Sequence, residues 1–403
     1  MTPETFAPDP LRRALLAGSV SAIATAGAAP FATALAQGTA PRPLPAYAAF
    51  KDAGSMIVHS ANTIETRRGA ATAGALTTVS QLYVRNNLAP PPASIVAAPD
   101  DWTVGVEGVK RPRSFTVREL KAMGSQSLAM VLQCSGNGRG MFPSKPSGTP
   151  WQVGAAGCVM WTGVPVRDVV RALGGTLAGL PFMTGTGGEV LPEGINPKSR
   201  VERSVPAAAM ADALLAWEIN GQPIPLAHGG PLRLIVPGFT GVNSVKYLKR
   251  LAFTAQESDA SIQQTDYRMT PAGEASMRPA DPSVWQMPPK SWIALPLADT
   301  TGLRAGPVTV QGVAFCGVNA VRQVDVSTDG GATWQPARLV GPDLGRFAWR
   351  QFELTLQLPA GRHVLASRVT DAKGNVQVEN RVENKGGYLN SSWRDHAVTL
   401  TVA

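Results

Sequence analysis

The period of the apolar positions changes along the chain. Over residues 57–253, short strand-like runs are mixed with helical spacings. In QLYVRNN, Leu82 and Val84 alternate with polar neighbours, and WTVGVEG continues in the same way until Gly108; both read as strands. LAMVLQC is apolar without alternation, as in a strand buried on both faces, and it delivers Cys134 at its C-terminal end. TVRELKAM has helical spacing, with Thr116 as N-cap and Glu119 at the capping-box position. PVRDVVRAL reads as an amphipathic helix with Pro165 in its first turn, and AMADALLAWEI as a further helix. NGQPIPLAHGGPLRLIVPG is a turn followed by a strand. Residues 257–289, rich in Ser, Pro, Asp and Met, read as a connection. Beyond Ser291 the pattern is purely β: GPVTVQGVAF, AVRQVDVSTDGGATWQPARLV, WRQFELTLQL, GRHVLASRVTD and HAVTLTVA are strands at sandwich spacing, with a hairpin at Asp329-Gly330-Gly331. The expected fold is an α+β domain over residues 57–284 followed by an all-β, immunoglobulin-like sandwich over residues 285–403.

The first 36 residues read as an address rather than as structure. Arg12 and Arg13 precede a weakly hydrophobic, uncharged run that closes on Ala34-Leu35-Ala36, a small-x-small cleavage pattern. Pro30 and the weak hydropathy argue against a membrane anchor, and the paired arginines point to the twin-arginine export route and a periplasmic destination. A proline-rich linker follows over residues 37–56. The leader holds two arginines, Glu4 and Asp9, so its removal leaves the net charge at +9. No Lys/Arg-rich run and no nucleic-acid motif accompany this charge, so nucleic acid is not the expected partner. A positive field of this kind draws in small anions. The mature chain carries no expected membrane span.

Cys134, Cys158 and Cys316 are an odd number for an exported chain. One pair with a leftover thiol, or three unpaired thiols, both satisfy that count. No C-x-x-C-H or C-x-x-C motif is present, so neither covalent haem nor zinc is expected. Cys158 and Cys316 read as small buried hydrophobes. Cys134 is different, because it sits in QCSGNGRG, where glycines permit close approach by a large group and Arg139 stands five positions on. A soft thiolate in an open glycine cradle suits a single-cysteine metal site. A Cys–His nucleophile pair remains formally open with His59, His228, His363 and His396, but no protease signature surrounds it.

QCSGNGR resembles the molybdenum-ligating loop of the sulfite oxidase family, C-A-G-N-R-R. YVRNN resembles that family's F-V-R-N-H loop. TPWQVGAAGCVMWTGVPVRDVV, LLAWEINGQPIPLAHGGPLRLIVPG, QQTDY, STDGGATW and YLNSSW resemble further segments, in the same order, from about residue 60 to residue 394. The resemblance implies a molybdopterin-binding domain followed by a dimerisation domain, hence a homodimer. It makes Cys134 the protein ligand of molybdenum. Tyr83, Arg85, Asn86, Asn87, His228, Arg233, Ser244, Val245 and Lys246 match positions that hold the molybdopterin, and Arg85, Arg139, Trp151 and Tyr267 match the pocket around the substrate oxyanion. Taken singly, Arg85 reads equally as a surface ion pair, His228 as a loop histidine, Lys246 as a solvated charge and Trp151 as core; their order along the chain favours the functional reading.

The chain departs from the pattern at Asn87, where the family commonly has histidine, at Gly138, which replaces an arginine, and at Gly386, near an anion-binding arginine of animal and plant members. Lys145 and Lys385 lie close to basic positions of the family without matching them. The implied activity is oxidation of sulfite to sulfate, with electrons passed to a periplasmic c-type cytochrome, since no haem motif and no flavin domain is legible. Three rivals follow. One is a sulfane-sulfur dehydrogenase subunit acting on a protein-bound sulfur, whose Q-C-S-G-N-G-R motif is close. The second is a methionine sulfoxide reductase, which lacks the sandwich. The third is a cofactor-free exported binding protein.

Overall fold

Strands rather than helices make up the regular secondary structure, even in one segment whose sequence pattern reads as helix. The computed structural model describes residues 42–403; the leader over residues 1–36 and the start of the linker lie outside the described residues. An antiparallel sheet of β1 (Met56–Ser60), β2 (Thr63–Thr66) and β3 (Val84–Arg85) opens the chain. β4 (Thr103–Glu107), β5 (Arg113–Thr116), β8 (Phe182–Thr186), β9 (Glu202–Pro206) and β13 (Arg250–Thr254) form a second sheet in the order β5-β4-β13-β8-β9, with β4 and β13 parallel. A third sheet holds β6 (Gln126–Gln133), β7 (Ala156–Pro165), β10 (Leu214–Ile219), β11 (Gln222–Pro223) and β12 (Arg233–Ile235), in the order β11-β10-β7-β6 with β12 also on β10.

Three short helices complete this half: α1 (Val117–Ala122), α2 (Val166–Ala172) and α3 (Ser261–Gln264). α1 begins with the expected capping box, the Thr116 side chain on the Glu119 N–H and the Glu119 carboxylate on the Thr116 N–H. α2 follows Pro165 as expected, with Pro165 itself as N-cap. Helix content is nevertheless lower than an α+β reading implies. AMADALLAWEI is not a helix: a 3-10 turn over Ala207–Ala211 leads into strand β10. Leu214, Leu215, Ala216 and Trp217 are all buried, because one face of β10 packs Leu214, Ala216 and Ile219 into one core and the other packs Leu215 and Trp217 into a second, while β7 pairs with one edge and β11 and β12 with the other. An unbroken apolar run of this length fits a doubly covered strand as well as a buried helix, and the flanking sheet decides. In QLYVRNN the ladder is limited to Val84–Arg85.

The rest of the chain forms two four-stranded sheets. β14 (Lys290–Leu295), β15 (Gly306–Phe315), β18 (Arg338–Val340) and β19 (Arg350–Leu358) run in the order β14-β15-β19-β18; β16 (Val321–Ser327), β17 (Gln335–Pro336), β20 (Gly361–Asp371) and β21 (Val398–Val402) run β17-β16-β20-β21. Val310, Leu356, Val324, Val326 and Val369 from the two sheets share one core. A further cluster joins the halves of the molecule: Ala129, Val131 and Cys158 of the third sheet pack with Trp292, Val313, Phe315 and Trp349. All three cysteines are free and buried, and burial pushes the Cys158 and Cys316 thiols up to about 12.

Gly163 marks where β7 and β10 approach most closely: a Cβ there would lie 2.1 Å from the Leu215 carbonyl oxygen. Gly163→Ala is expected to cost about 1–3 kcal/mol, the usual range for overpacking, read as a lower urea midpoint with an unchanged slope.

Candidate active site

β6 carries the chain into the middle of the molecule and then releases it. The Cys134 N–H still pairs with Ala155 O at 2.9 Å, but the next residues coil into a tight turn: Asn137 N–H donates to Cys134 O at 3.0 Å and Arg139 N–H to Gly136 O at 2.8 Å. Two glycines make the turn possible. Gly138 has φ +94°, and a Cβ on Gly136 would meet the Arg139 guanidinium at 2.6 Å. Arg139 therefore folds back over its own loop, donating through Nε to Gly386 O at 2.8 Å and through Nη1 to Thr149 O at 3.2 Å.

Two clefts meet at Cys134. The first encloses about 600 Å³ and brings together Tyr83, Arg85, Asn86, Asn87, Cys134, His228, Arg233, Ser244, Val245, Lys246 and Tyr267, residues up to 184 positions apart in sequence. Its far end is cationic. Arg233 donates to Ser244 O at 3.0 Å and to His228 O at 2.9 Å. Lys246 Nζ donates to Asn86 Oδ1 at 2.5 Å and to Ala227 O at 2.6 Å. These partners are neutral. Burial pushes Lys246 well below the usual lysine range, with Arg233 adding to the effect, and brings Arg233 down to about 10. Burial, aided by the charges of Lys51, Lys246 and Arg233, holds His228 well below its ordinary value.

The second cleft is wider, about 890 Å³, and open to solvent; it shares Arg85, Asn86, Asn87, Cys134 and Tyr267 with the first and adds Arg139. Tyr267 sits at φ +51°, a conformation uncommon for an aromatic residue and sustained by its surroundings. Its ring stacks on Tyr388 at 5.1 Å, its N–H faces the Tyr388 hydroxyl at 3.4 Å, and its own hydroxyl donates to Asn87 Oδ1 at 3.0 Å. The Arg139 guanidinium lies 5.3 Å from the Tyr388 ring centre. A Cβ on Gly386 would lie 2.1 Å from that ring, so Tyr388 fills the space beside Gly386.

Trp151 is placed differently from the other expected residues. It is fully buried, its Nε1 has no partner, and it lines neither cleft. It packs edge-on against Tyr83 at 6.3 Å and His59 at 5.3 Å, supporting the wall from behind. Lys145 is exposed, and Lys385 Nζ donates to Glu274 O at 2.7 Å; neither lines a cleft.

Three residues of the site were not singled out from the sequence. Lys51, within the segment read as linker, is buried and donates to Val79 O, Leu82 O and His228 Nε2 at 2.5–2.6 Å, and burial lowers it to about 6. Glu189 lies in a loop lining the first cleft with Oε2 unpartnered, and burial raises its carboxyl to about 7. Tyr388 had only its place in YLNSSW. Glu189 and Tyr388 are identified by lining the clefts and Lys51 by its bond to His228, not by local pattern.

Residues 89–262 match the family pattern of the oxidoreductase molybdopterin binding domain and residues 281–402 that of the Mo-co oxidoreductase dimerisation domain. Sulfite oxidase of Gallus gallus is 33% identical over 338 residues, covering 78% of this chain and 72% of that protein. The chain belongs to the sulfite oxidase family. Mitochondrial sulfite oxidase of Homo sapiens is 32% identical, and the match spans 80% of this chain and 61% of that protein; sulfite oxidase of Arabidopsis thaliana is 30% identical over 83% of this chain and 91% of its own length. The sulfane dehydrogenase SoxCD of Paracoccus pantotrophus shares the fold, with TM-score 0.70 and 21% identity over 99% of this chain and 100% of that one. The chain carries the molybdopterin-binding domain of that family, and the chemistry of the first cleft fits that group. Buried cations with neutral partners suit a phosphate. The unpartnered Ser135 Oγ and Glu189 Oε2 offer hydrogen bonds to a polar ring system. Among the described residues no three His, Cys, Asp or Glu side chains converge on a metal position. No helix among the described residues is long and apolar enough to cross a membrane.

Glu189 gives this site a pH signature. Its carboxyl titrates near 4.5 when exposed and near 7 in the fold, so the folded state holds a proton that the unfolded state releases. Its contribution is present below about 4.5 and is lost as the pH rises through about 7. In cofactor-free protein, Glu189→Gln is expected to gain stability over wild type progressively across that window, as urea midpoints at stepped pH would record.

Proposed function

We propose that the chain oxidises sulfite to sulfate at a molybdenum centre and passes the electrons to an external, periplasmic c-type cytochrome. The observation that carries this reading is the position of Cys134, at the junction of an anion-holding cleft and an open pocket bearing Arg85, Arg139 and Tyr267. His228, Arg233, Ser244, Val245 and Lys246 would hold the cofactor's phosphate end, Tyr83, Asn86, Asn87 and Glu189 its body, and Cys134 the metal. Bound there, the cofactor supplies oxygen-atom transfer and takes up two electrons.

The protein's own part is binding and orientation. Arg85 and Arg139 attract and aim a small dianion, and Arg139 is held by carbonyls so that its remaining N–H groups face the cleft without a carboxylate competing for them. The Tyr267 hydroxyl, now on Asn87, is a donor that can transfer to an oxyanion with only a small rotation. Trp151 acts from behind Tyr83 rather than on substrate.

A second reading has one observation in its favour. The second cleft is wide, and besides Arg85, Arg139 and Asp266 its lining is neutral, with Ser60, Asn62, Thr63, Ser147 and Thr149 among the groups. Such a cleft suits a sulfur atom carried on a partner protein, the sulfane-sulfur dehydrogenase alternative. In either case the leader over residues 1–36 sends the chain to the periplasm by the twin-arginine route, and an immunoglobulin-like second domain pairs two copies. Light scattering is expected to give twice the chain mass; the mass of a single chain would remove the dimer.

The deciding experiment is an anaerobic absorbance spectrum before and after sulfite. Wild type is expected to show a thiolate-to-molybdenum band that sulfite bleaches, and Cys134→Ser to lose the band and at least about 100-fold of kcat/KM. A band indifferent to sulfite would favour the partner-bound substrate, and protein without molybdenum would leave a binding protein.

A further inference from the structure

The turn at residues 134–139 is closed from outside its own domain. Leu389 N–H donates to Ser135 O at 2.9 Å and Asn390 Nδ2 to Gly138 O at 3.1 Å. Between them, Lys290 Nζ, from the first residue of β14, donates to Asn137 O at 3.1 Å and to Asn390 O at 2.8 Å. Lys290 is 1% exposed and forms no ion pair among the described residues; Asp395, whose charge it feels, is engaged by both oxygens with Arg381. Arg68, the other charge that reaches it, is also a cation.

An amide would hold a carbonyl equally well, as Leu389 and Asn390 do on either side. Burying an ammonium instead costs several kcal/mol unless an opposite charge compensates it. Burial pulls the Lys290 amine down to about 7; the remaining negative group in its field, acting the other way, is the Cys134 sulfur, which a metal-ligating role keeps as thiolate.

We propose that Lys290 is a positioning residue for the Cys134 ligand: it ties the turn to the second domain and places a positive charge behind the sulfur, which makes the metal–thiolate centre easier to reduce. The proposal rests on the reading of Cys134 as the molybdenum ligand. A positive charge near a redox centre stabilises its reduced form, so removing the charge moves the potential downward.

The test uses full-length holoenzyme carrying Lys290→Gln, which keeps a donor without the charge, and Lys290→Met, which removes both. Molybdenum content, the thiolate-to-molybdenum band, the reduction potential by dye titration and the melting temperature are measured together with sulfite kinetics. Both variants are expected to keep their molybdenum, to shift the band and to lower the potential. Sulfite kcat is expected to fall about tenfold, with KM unchanged within about twofold. Lys290→Met is expected to melt lower than Lys290→Gln, since it leaves the Asn137 and Asn390 carbonyls without a donor. Wild-type potential and band in both variants would overturn the proposal, as would failure of both to fold, which would assign Lys290 to the scaffold alone. Wild type that shows the band but ignores sulfite would sink only the sulfite reading; wild type without molybdenum would sink both.

Discussion

The site depends on how one turn satisfies its carbonyls. Once the chain leaves β6 after Gln133, residues 134–139 have few ladder partners, and their oxygens at 135, 137 and 138 are met by Leu389, Lys290 and Asn390 from the far end of the chain. Buried carbonyls without partners are costly, so this turn has its observed shape only when the second domain is docked. The joint is firm because the Ala129–Val131–Cys158 surface packs against Trp292, Phe315 and Trp349. Arg139 adds a return bond, donating to Gly386 O.

Electrostatics follows from the same geometry. The first cleft places His228, Arg233 and Lys246 around space with a single acid, Glu189, in its lining, and Lys51 adds a fourth basic group behind His228. Crowding of this kind opposes folding in the absence of an anion, and is relieved when a phosphate enters. The second cleft is less charged: Tyr388 occupies the volume beside Gly386, where a side chain could otherwise stand, and the guanidinium groups lining it are Arg85 and Arg139. The two clefts thus differ in charge, the first lined by His228, Arg233 and Lys246 and the second more open with Arg139 in their place.

Much of this was legible in the sequence, for identifiable reasons. Thr116 with Glu119, the strand ending at Cys134, and the two-residue alternation of GPVTVQGVAF are local patterns with local causes. The segment at Leu214–Ile219 was misread because a continuous apolar run carries no period, and only the neighbours on both edges make it a strand. Trp151 was placed by likeness at the substrate pocket, yet its size and burial set it behind Tyr83. Lys51, Glu189 and Lys290 carried no local signal, because each owes its role to a partner far away: Lys51 to His228, Glu189 to the cleft wall, Lys290 to Asn137.

The distance between those partners has a consequence for biosynthesis. The turn bearing Cys134 is made early, but its closing bonds wait for residues 389 and 390 to be synthesised. A nascent chain therefore cannot hold a finished metal-binding turn while the ribosome is still working through the second domain. A group held at Cys134 would therefore meet a closed turn only after residue 389 has been made, and a chain truncated before it would present the basic side chains of the first cleft beside an unclosed turn.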